Sequence, residues 1–457
     1  MSAPAQRAAT APPLPPAPAA PSGWADLYRK EDYWAIWLGL GLVLLALGLH
    51  WAGASLRGFA VAPPRWDTGA GLAAHFGQAW FRYVALGATF LTVFAGAGAA
   101  MGYRVRPYLA GFTVLFVLAA LILVVSQWRY ASTYNLEAPL VALAVGLLAG
   151  NLLPVPGWLD ACLRTEFYVK TGIVLLGATL PFTLIVHAGP SAFLQATIVS
   201  MTTFATIYFC ATRLFKLDRR FAACMGGGGS ICGVSAAIAV GGAVSAEKEH
   251  VSITIGLVTV FAIVVIFLLP LACRALGLPP GVAGAWIGTS EFADAAGFAA
   301  ASAIGHESAI RTFTLMKVIG RDIWIGIWSL ALAIISVTVW ERKQGGPRLG
   351  PSVIWARFPK FVIGFFLASA LITTVAALVS QEVYRASLEP GVIAPIKTLR
   401  TWTFVFTFLS IGFTTRFRQL GRFGWAPFWA FTIGVLVNVP LGYLLSAVLF
   451  REFWSKI

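Results

Sequence analysis

Apolar runs of about twenty residues recur along this chain from residue 33 to residue 450, and nothing else in it restricts the fold so strongly. A helix of that length crosses the ~30 Å hydrocarbon core of a bilayer. Lipid offers no partner to a backbone N–H or C=O, so each run has to satisfy its own polar groups as a helix. Charged residues are 11% of the 457 and hydrophobic residues 58%, where a soluble domain carries roughly 25% charged residues. The expected fold class is an all-α polytopic membrane protein with about 13 transmembrane helices. The runs fall at about 33–52, 81–101 and 108–126, then at 136–153, 167–186, 189–215, 220–245, 249–276, 281–302, 308–340, 358–380, 392–415 and 425–450. The run at 281–302 contains Glu291 and Asp294. Each acid costs about 2.5–3.5 kcal/mol near a helix centre, so a re-entrant path is the alternative there.

Basic residues set the expected orientation. With the N-terminus cytoplasmic, one side collects Arg29/Lys30, Arg104/Arg106, Arg164/Lys170, Arg213/Lys216/Arg219/Arg220, Arg342/Lys343/Arg348/Arg357/Lys360 and Arg416/Arg418/Arg422. The other side has singles such as Arg57, Arg65, Arg129, Lys248 and Arg385, the asymmetry of a multi-pass bacterial inner-membrane protein. The net charge of +15 is then a property of loops, and no nucleic-acid partner is expected, since no basic run interleaves with aromatics on a soluble domain. Cys162, Cys210, Cys224, Cys232 and Cys273 form no CxxC pair and read as small buried hydrophobes without a metal. Residues 1–30 read as a disordered Ala/Pro-rich cytoplasmic tail and 31–134 as a three-helix extension that offers packing or homodimer contacts. Residues 135–457 form a ten-helix core. Five spans is an odd number, so similarly folded halves at about 135–277 and 278–457 insert inverted, as in many secondary transporters.

Within the core, Gly226, Gly227, Gly228 and Gly229 sit in an otherwise apolar span and are followed by Ser230, Cys232, Gly233 and Ser235. Four glycines are a poor helix interior, at about 1 kcal/mol each against alanine. A helix broken at the midplane exposes N–H groups and a positive dipole end, an anion cradle, with Ser230 as N-cap of the second half. The bland alternative is that glycines permit tight helix crossing. The counterpart in the second half is expected at 392–415, where Pro395 interrupts and Lys397 and Arg400 follow. A second self-match sets Gly228, Ser230, Ala236, Ala239 and Glu247 against Gly288, Ser290, Ala296, Ala299 and Glu307, sixty residues on. In Ala/Gly-rich sequence it is near chance, and it pairs spans of one orientation.

Ionisable residues inside spans are functional candidates by default. Glu291 and Asp294, spaced i,i+3, would share a helix face and suit an ion-coupling role. Lys317 and Arg321, beside Asp322, would face a substrate anion or neutralise those acids, and Lys397 and Arg400 carry the same ambiguity. His187, His250 and His306 fall near span ends on one side. No Walker A, HExxH or GxSxG motif is present, so no enzyme is expected; no cofactor is either, beyond a coupling H+ or Na+.

The order LLAGN, VKTGIVLLGATL (169–180), GGGGSICGVSAAIA (226–239), ITIGLVTVFAIVVIFLLP (253–270), SEFADAAGFAAA (290–301) and SIGFTT (410–415) resembles the YeiH-type sulfate exporter family over about 135–457. The resemblance implies an inner-membrane transporter with inverted repeats, related in architecture to cation/proton antiporters and bile-acid-type symporters. In place of the His-Glu pair that it leads one to expect, this chain has Ser290-Glu291 with Asp294 following. The function expected is a secondary active exporter of a small oxyanion such as sulfate or a sulfonate. The alternatives are a cation/proton antiporter using Glu291 and Asp294, and a passive anion channel or membrane-embedded sensor.

Overall fold

The computed structural model describes residues 24–131, 138–179, 182–340, 359–415 and 424–457. Residues 1–23 of the expected tail and the basic positions Arg342, Lys343, Arg348, Arg357, Arg416, Arg418 and Arg422 lie outside them. The end of that tail is not disordered as expected but holds a short helix, Asp26–Arg29. The described residues are helical almost throughout, and every apolar run is found as helix. The extension supplies α1 (Glu31–Trp51), α2 (Gly69–Ala100) and α3 (Val105–Ser126). The core opens with α4 (Ala138–Leu152), α5 (Thr165–Gly177) and α6 (Phe182–Phe209). Among the described residues, six helices are long and apolar enough to cross a membrane by themselves. The junction expected near residue 187 lies ahead of Phe182 instead, and Pro190 is carried inside α6.

The glycine-rich run does not cross. It forms two antiparallel helices, α7 (Arg219–Ser230) and α8 (Val234–Ala243). Asp218 caps α7, its carboxylate accepting from Arg220 N at 2.8 Å and Phe221 N at 3.1 Å. The Cys224 thiol donates to Ala237 O at 3.2 Å, a Cβ on Gly227 would lie 2.8 Å from Val240, and Arg220 at the start of α7 reaches Ser245 O just past α8 at 3.3 Å. From Arg220–Ser245 through Cys224–Gly241 and Gly227–Val240 to Gly228–Ala237 the neighbours run in opposite chain directions, which only a hairpin allows. The reversal is made at Gly233, whose φ of +74° and ψ of −111° lie where a side chain is strained.

After α9 (Lys248–Ala275) the chain makes a second hairpin from α10 (Pro280–Ser290) and α11 (Asp294–Ser302). Phe298 packs on Phe313 of α12 (Glu307–Thr314), ring centroids 4.7 Å apart, and Arg274 donates to Ala303 O. The second hairpin therefore opens beside the far end of α9. The 28 residues of α9 rise about 42 Å, so the hairpins enter from opposite sides and meet tip to tip. A Cβ on Gly233 would lie 2.7 Å from Phe292 O. The re-entrant alternative at 281–302 is the one realised, and 220–245 shares it.

Beyond α12 come a π-helical stretch (Leu315–Arg321) and α13 (Trp324–Ile335), then α14 (Phe361–Ala377), α15 (Ala394–Thr414) and α16 (Trp425–Tyr443). Pro395 of α15 comes just after a π-helical stretch (Tyr384–Ile393) whose last residue is itself in helical backbone, so the chain stays helical through it. The expected break at 392–415 is therefore absent, and the counterpart of the first hairpin is 280–302. The sixty-residue self-match is the structural one: Ser230 and Ser290 both end an inward arm, and the tips at 231–233 and 291–293 stand in register. The objection that it pairs spans of one orientation assumed that both cross. With two hairpins separated by one crossing helix, the orientations are opposite.

Because α8 returns to its starting side, Ser245 stands with Arg219 and Arg220 rather than across the membrane. His250, stacked on Phe221 at 4.4 Å, moves to that basic side, away from His187 and His306. In a background lacking native cysteines, S245C and K216C should label from the same side of sealed vesicles with an impermeant maleimide. Labelling from opposite sides would restore a spanning helix.

Candidate functional site

The four glycines lie within α7 and are fully buried. A Cβ would lie 3.0 Å from Phe204 at Gly226, 2.9 Å from Thr254 at Gly228 and 3.0 Å from Phe431 at Gly229, with Ile207 closer still. They permit tight crossing by α6, α8, α9 and α16, as the bland reading has it, and their N–H groups are taken up in the helix. Ser230 ends α7 and does not cap α8. Its carbonyl accepts from Ser200 Oγ at 2.8 Å, while its hydroxyl is buried without a hydrogen bond. The anion cradle expected at Gly226–Ser230 is thus closed by packing.

What the tips present is two helix C-termini on one pair of cations. Lys317 Nζ donates to Ile231 O at 2.8 Å and Glu291 O at 3.2 Å. Arg321 donates through Nε to Ser230 O at 3.1 Å, and through Nη1 to Gly288 O, Thr289 O and Glu291 O at 3.3, 3.0 and 2.7 Å. Both side chains are fully buried. The last carbonyls of a helix have no partner within it and carry roughly half a negative charge, so the cations join the tips by capping both at once. The wider π-helical turn brings Lys317 and Arg321, four residues apart, to one side. Asn438 of α16 adds Nδ2–H donors to Thr289 O at 3.3 Å and Thr203 Oγ1 at 2.8 Å.

Glu291 and Asp294 do not share a helix face, because α11 begins only at Asp294. Glu291 turns inward, its Oε1 accepting from Phe292 N at 2.9 Å. Asp294 lies 3.4 Å from Lys317 Nζ and lines two adjoining cavities of about 180 and 200 Å3. Asp322, 1% exposed, lines the first, and neither of its carboxylate oxygens accepts a hydrogen bond. Three acids (Glu291, Asp294, Asp322) thus face two bases (Lys317, Arg321), one carboxylate in excess. Cys232, Asp294 and Asp322 offer ligand atoms within 4.8 Å of one another, a spacing that would suit a metal, though the Lys317 ammonium already stands beside Asp294.

Ser235, on the first turn of α8, opens on the smaller cavity with Cys232. The N-cap of α8, Gly233, brings no side-chain hydrogen bond to its free N–H groups. Lys397 and Arg400 line neither cavity: Arg400 binds Thr179 Oγ1 at 2.8 Å and Glu307 at 3.4 Å, and Lys397 is half-buried one turn earlier. His306 accepts from Ser308 N as cap of α12, and His187 stacks on Phe453. Asp32, Glu166 and Lys170 also line the smaller cavity; the sequence marks Lys170 as a charge of the basic side and singles out neither Asp32 nor Glu166. A larger apolar cavity of about 480 Å3 lies between α1, α2 and α5, without a charged side chain in its lining.

Fold and site together define a polytopic α-helical membrane protein built on two opposed re-entrant hairpins. Residues 110–430 match the family model described as Conserved hypothetical protein 698; the chain belongs to this family, and the resemblance read from the motifs holds from further upstream than residue 135. A UPF0324 membrane protein of Rhodopirellula baltica is 30% identical over 98% of this chain and 93% of its own length. Another, from Nitrosomonas europaea, is 30% identical over 94% and 96%. No solved structure matches the chain.

Proposed function

We propose that this protein is a secondary active transporter of the bacterial inner membrane, N-terminus cytoplasmic, that exports a small oxyanion such as sulfate or a sulfonate. Access alternates around the hairpin tips, and the Asp294–Asp322 pair carries the coupling proton or Na+. The observation that supports this best is the meeting of two opposed hairpins at a buried charged joint beside a polar cavity. Backbone that breaks from helix at membrane depth is tolerated where it is buried in protein or lines a cavity, and opposed repeats with discontinuous helices are the build of secondary transporters. The oxyanion faces the uncapped first turn of α8, Ser235 and Lys170. It does not rest on Lys317 and Arg321, whose Nζ, Nε and Nη1 donors are engaged with carbonyls, Arg321 Nη2 alone being buried without a partner. One specific observation favours cation/proton antiport instead: the smaller cavity holds Asp32, Glu166, Asp294 and Asp322 against the single Lys170.

Counterflow in proteoliposomes tests both readings. Labelled sulfate or methanesulfonate should enter vesicles preloaded with the unlabelled ion faster than empty ones. Uptake without that acceleration would make the protein a channel. A Na+ gradient that moves protons with no oxyanion present, and no oxyanion flux, would replace the oxyanion with a cation.

A further inference from the structure

The smaller cavity, about 180 Å3, has among the described residues one cationic side chain in its lining, Lys170. Lys170 stands in the second turn of α5, and its ammonium lies 2.8 Å from Asp32 Oδ1 and 3.6 Å from Glu166 Oε2. Glu166 is its own helix neighbour at i−4, but Asp32 comes from α1. Asp32 is seated firmly, because its other oxygen accepts from Lys360 N at 2.9 Å. The site is not sealed, since the side chains of Lys170 and Asp32 are 16% and 22% exposed. Helix α1 itself lies tight on α5, and a Cβ on Gly39 would coincide with Val174. Asp32 also precedes residue 110, where the family match begins, so the carboxylate is brought by the extension to a cation of the core.

We infer that Lys170 is the side chain that receives the oxyanion and that Asp32 is a resident carboxylate occupying it, so that the N-terminal extension sets anion affinity. This rests on the oxyanion reading above. An ammonium has three N–H donors, and Asp32 and Glu166 engage it on two sides. An incoming oxyanion has to displace one of these carboxylates or share the cation with both, against their combined negative charge. The free N–H groups of α8 and the Ser235 hydroxyl stand on the same cavity as the second half of the cradle. A role for Asp32 as mere packing would make its replacement neutral or harmful to binding. A resident competitor makes its replacement beneficial.

The test is isothermal titration of sodium sulfate and sodium methanesulfonate into the purified full chain, for wild type, D32N, E166Q, K170Q and K170R. D32N should bind about tenfold tighter, the worth of one charge-assisted contact. E166Q should shift the same way, which keeps the test alive if D32N folds poorly. K170Q should lose at least about tenfold, and K170R should restore most of that loss. Binding by wild type with D32N and E166Q no tighter, or with K170Q unchanged, overturns the inference and leaves the oxyanion reading standing. Binding by D32N alone supports it, as an unmasked site. Failure of every variant to bind either anion removes the oxyanion reading and this inference with it.

Discussion

Replacing Arg321 by methionine should unfold the hairpin joint. R321M is expected to lose several kcal/mol, about 3–5 by comparison with buried pairs deprived of one partner. Four carbonyl oxygens, Ser230 O, Gly288 O, Thr289 O and Glu291 O, lose their shared donor. Ser230 O keeps Ser200 Oγ, Thr289 O keeps Asn438 and Glu291 O keeps Lys317. Gly288 O is thus the one deprived of its side-chain donor, where a buried unsatisfied acceptor costs about 1–3 kcal/mol. The partial negative ends of α7 and α10 would then face one another with Lys317 alone between them. Against a total stability of about 5–15 kcal/mol, that loss should show as aggregation on size exclusion in detergent or a large drop in unfolding temperature. R321K should fall between, because one ammonium cannot reproduce a planar fork that spans both helix ends. A methionine variant as stable as wild type would mean that Asn438 and Lys317 suffice to cap both arms.

How far the sequence reveals such a joint is instructive. The helical segments and the excess of basic residues on one side are legible, because both follow from what lipid excludes. The hairpins are hidden by length: arms of 12 and 10 residues with a three-residue turn take as much apolar sequence as one crossing helix. Two hairpins also restore the parity of the count, so only the loops at about 244–247 and 276–279 change sides. The glycine run advertised a break at the wrong place, since close packing and a turn both call for glycine. The turn glycine is Gly233, and the second tip has none at all, its reversal carried by Glu291, Phe292 and Ala293 in extended or irregular backbone. The i,i+4 spacing of Lys317 and Arg321 says that they share a face. It does not say that two helix ends from other parts of the chain arrive there. The sixty-residue self-match held that information, but its Ala/Gly-rich composition and the mistaken orientation made it look accidental.

Asp322 should separate coupling from stability. The charge count at the tips gives three carboxylates to two cations, and Asp322 is the one whose oxygens no group binds. D322N keeps the shape and removes the excess charge, leaving Glu291 and Asp294 to balance Lys317 and Arg321. The variant should therefore fold at least as well as wild type, with an unchanged or higher unfolding temperature, since an unpaired buried charge is itself a cost. Ion-driven flux should nonetheless fall below about a tenth of wild type, because an intramembrane acid without a structural partner is where a transporter carries its ion. Asp294 predicts the opposite balance. It lies 3.4 Å from Lys317, so D294N strips a buried ammonium of its neighbour and should cost stability as well as flux. The two sit in one cluster, and their double variant should not be additive. Full coupled flux in D322N would move the coupling ion away from the hairpin tips, and equal stability losses in the two variants would refute the assignment of the free carboxylate.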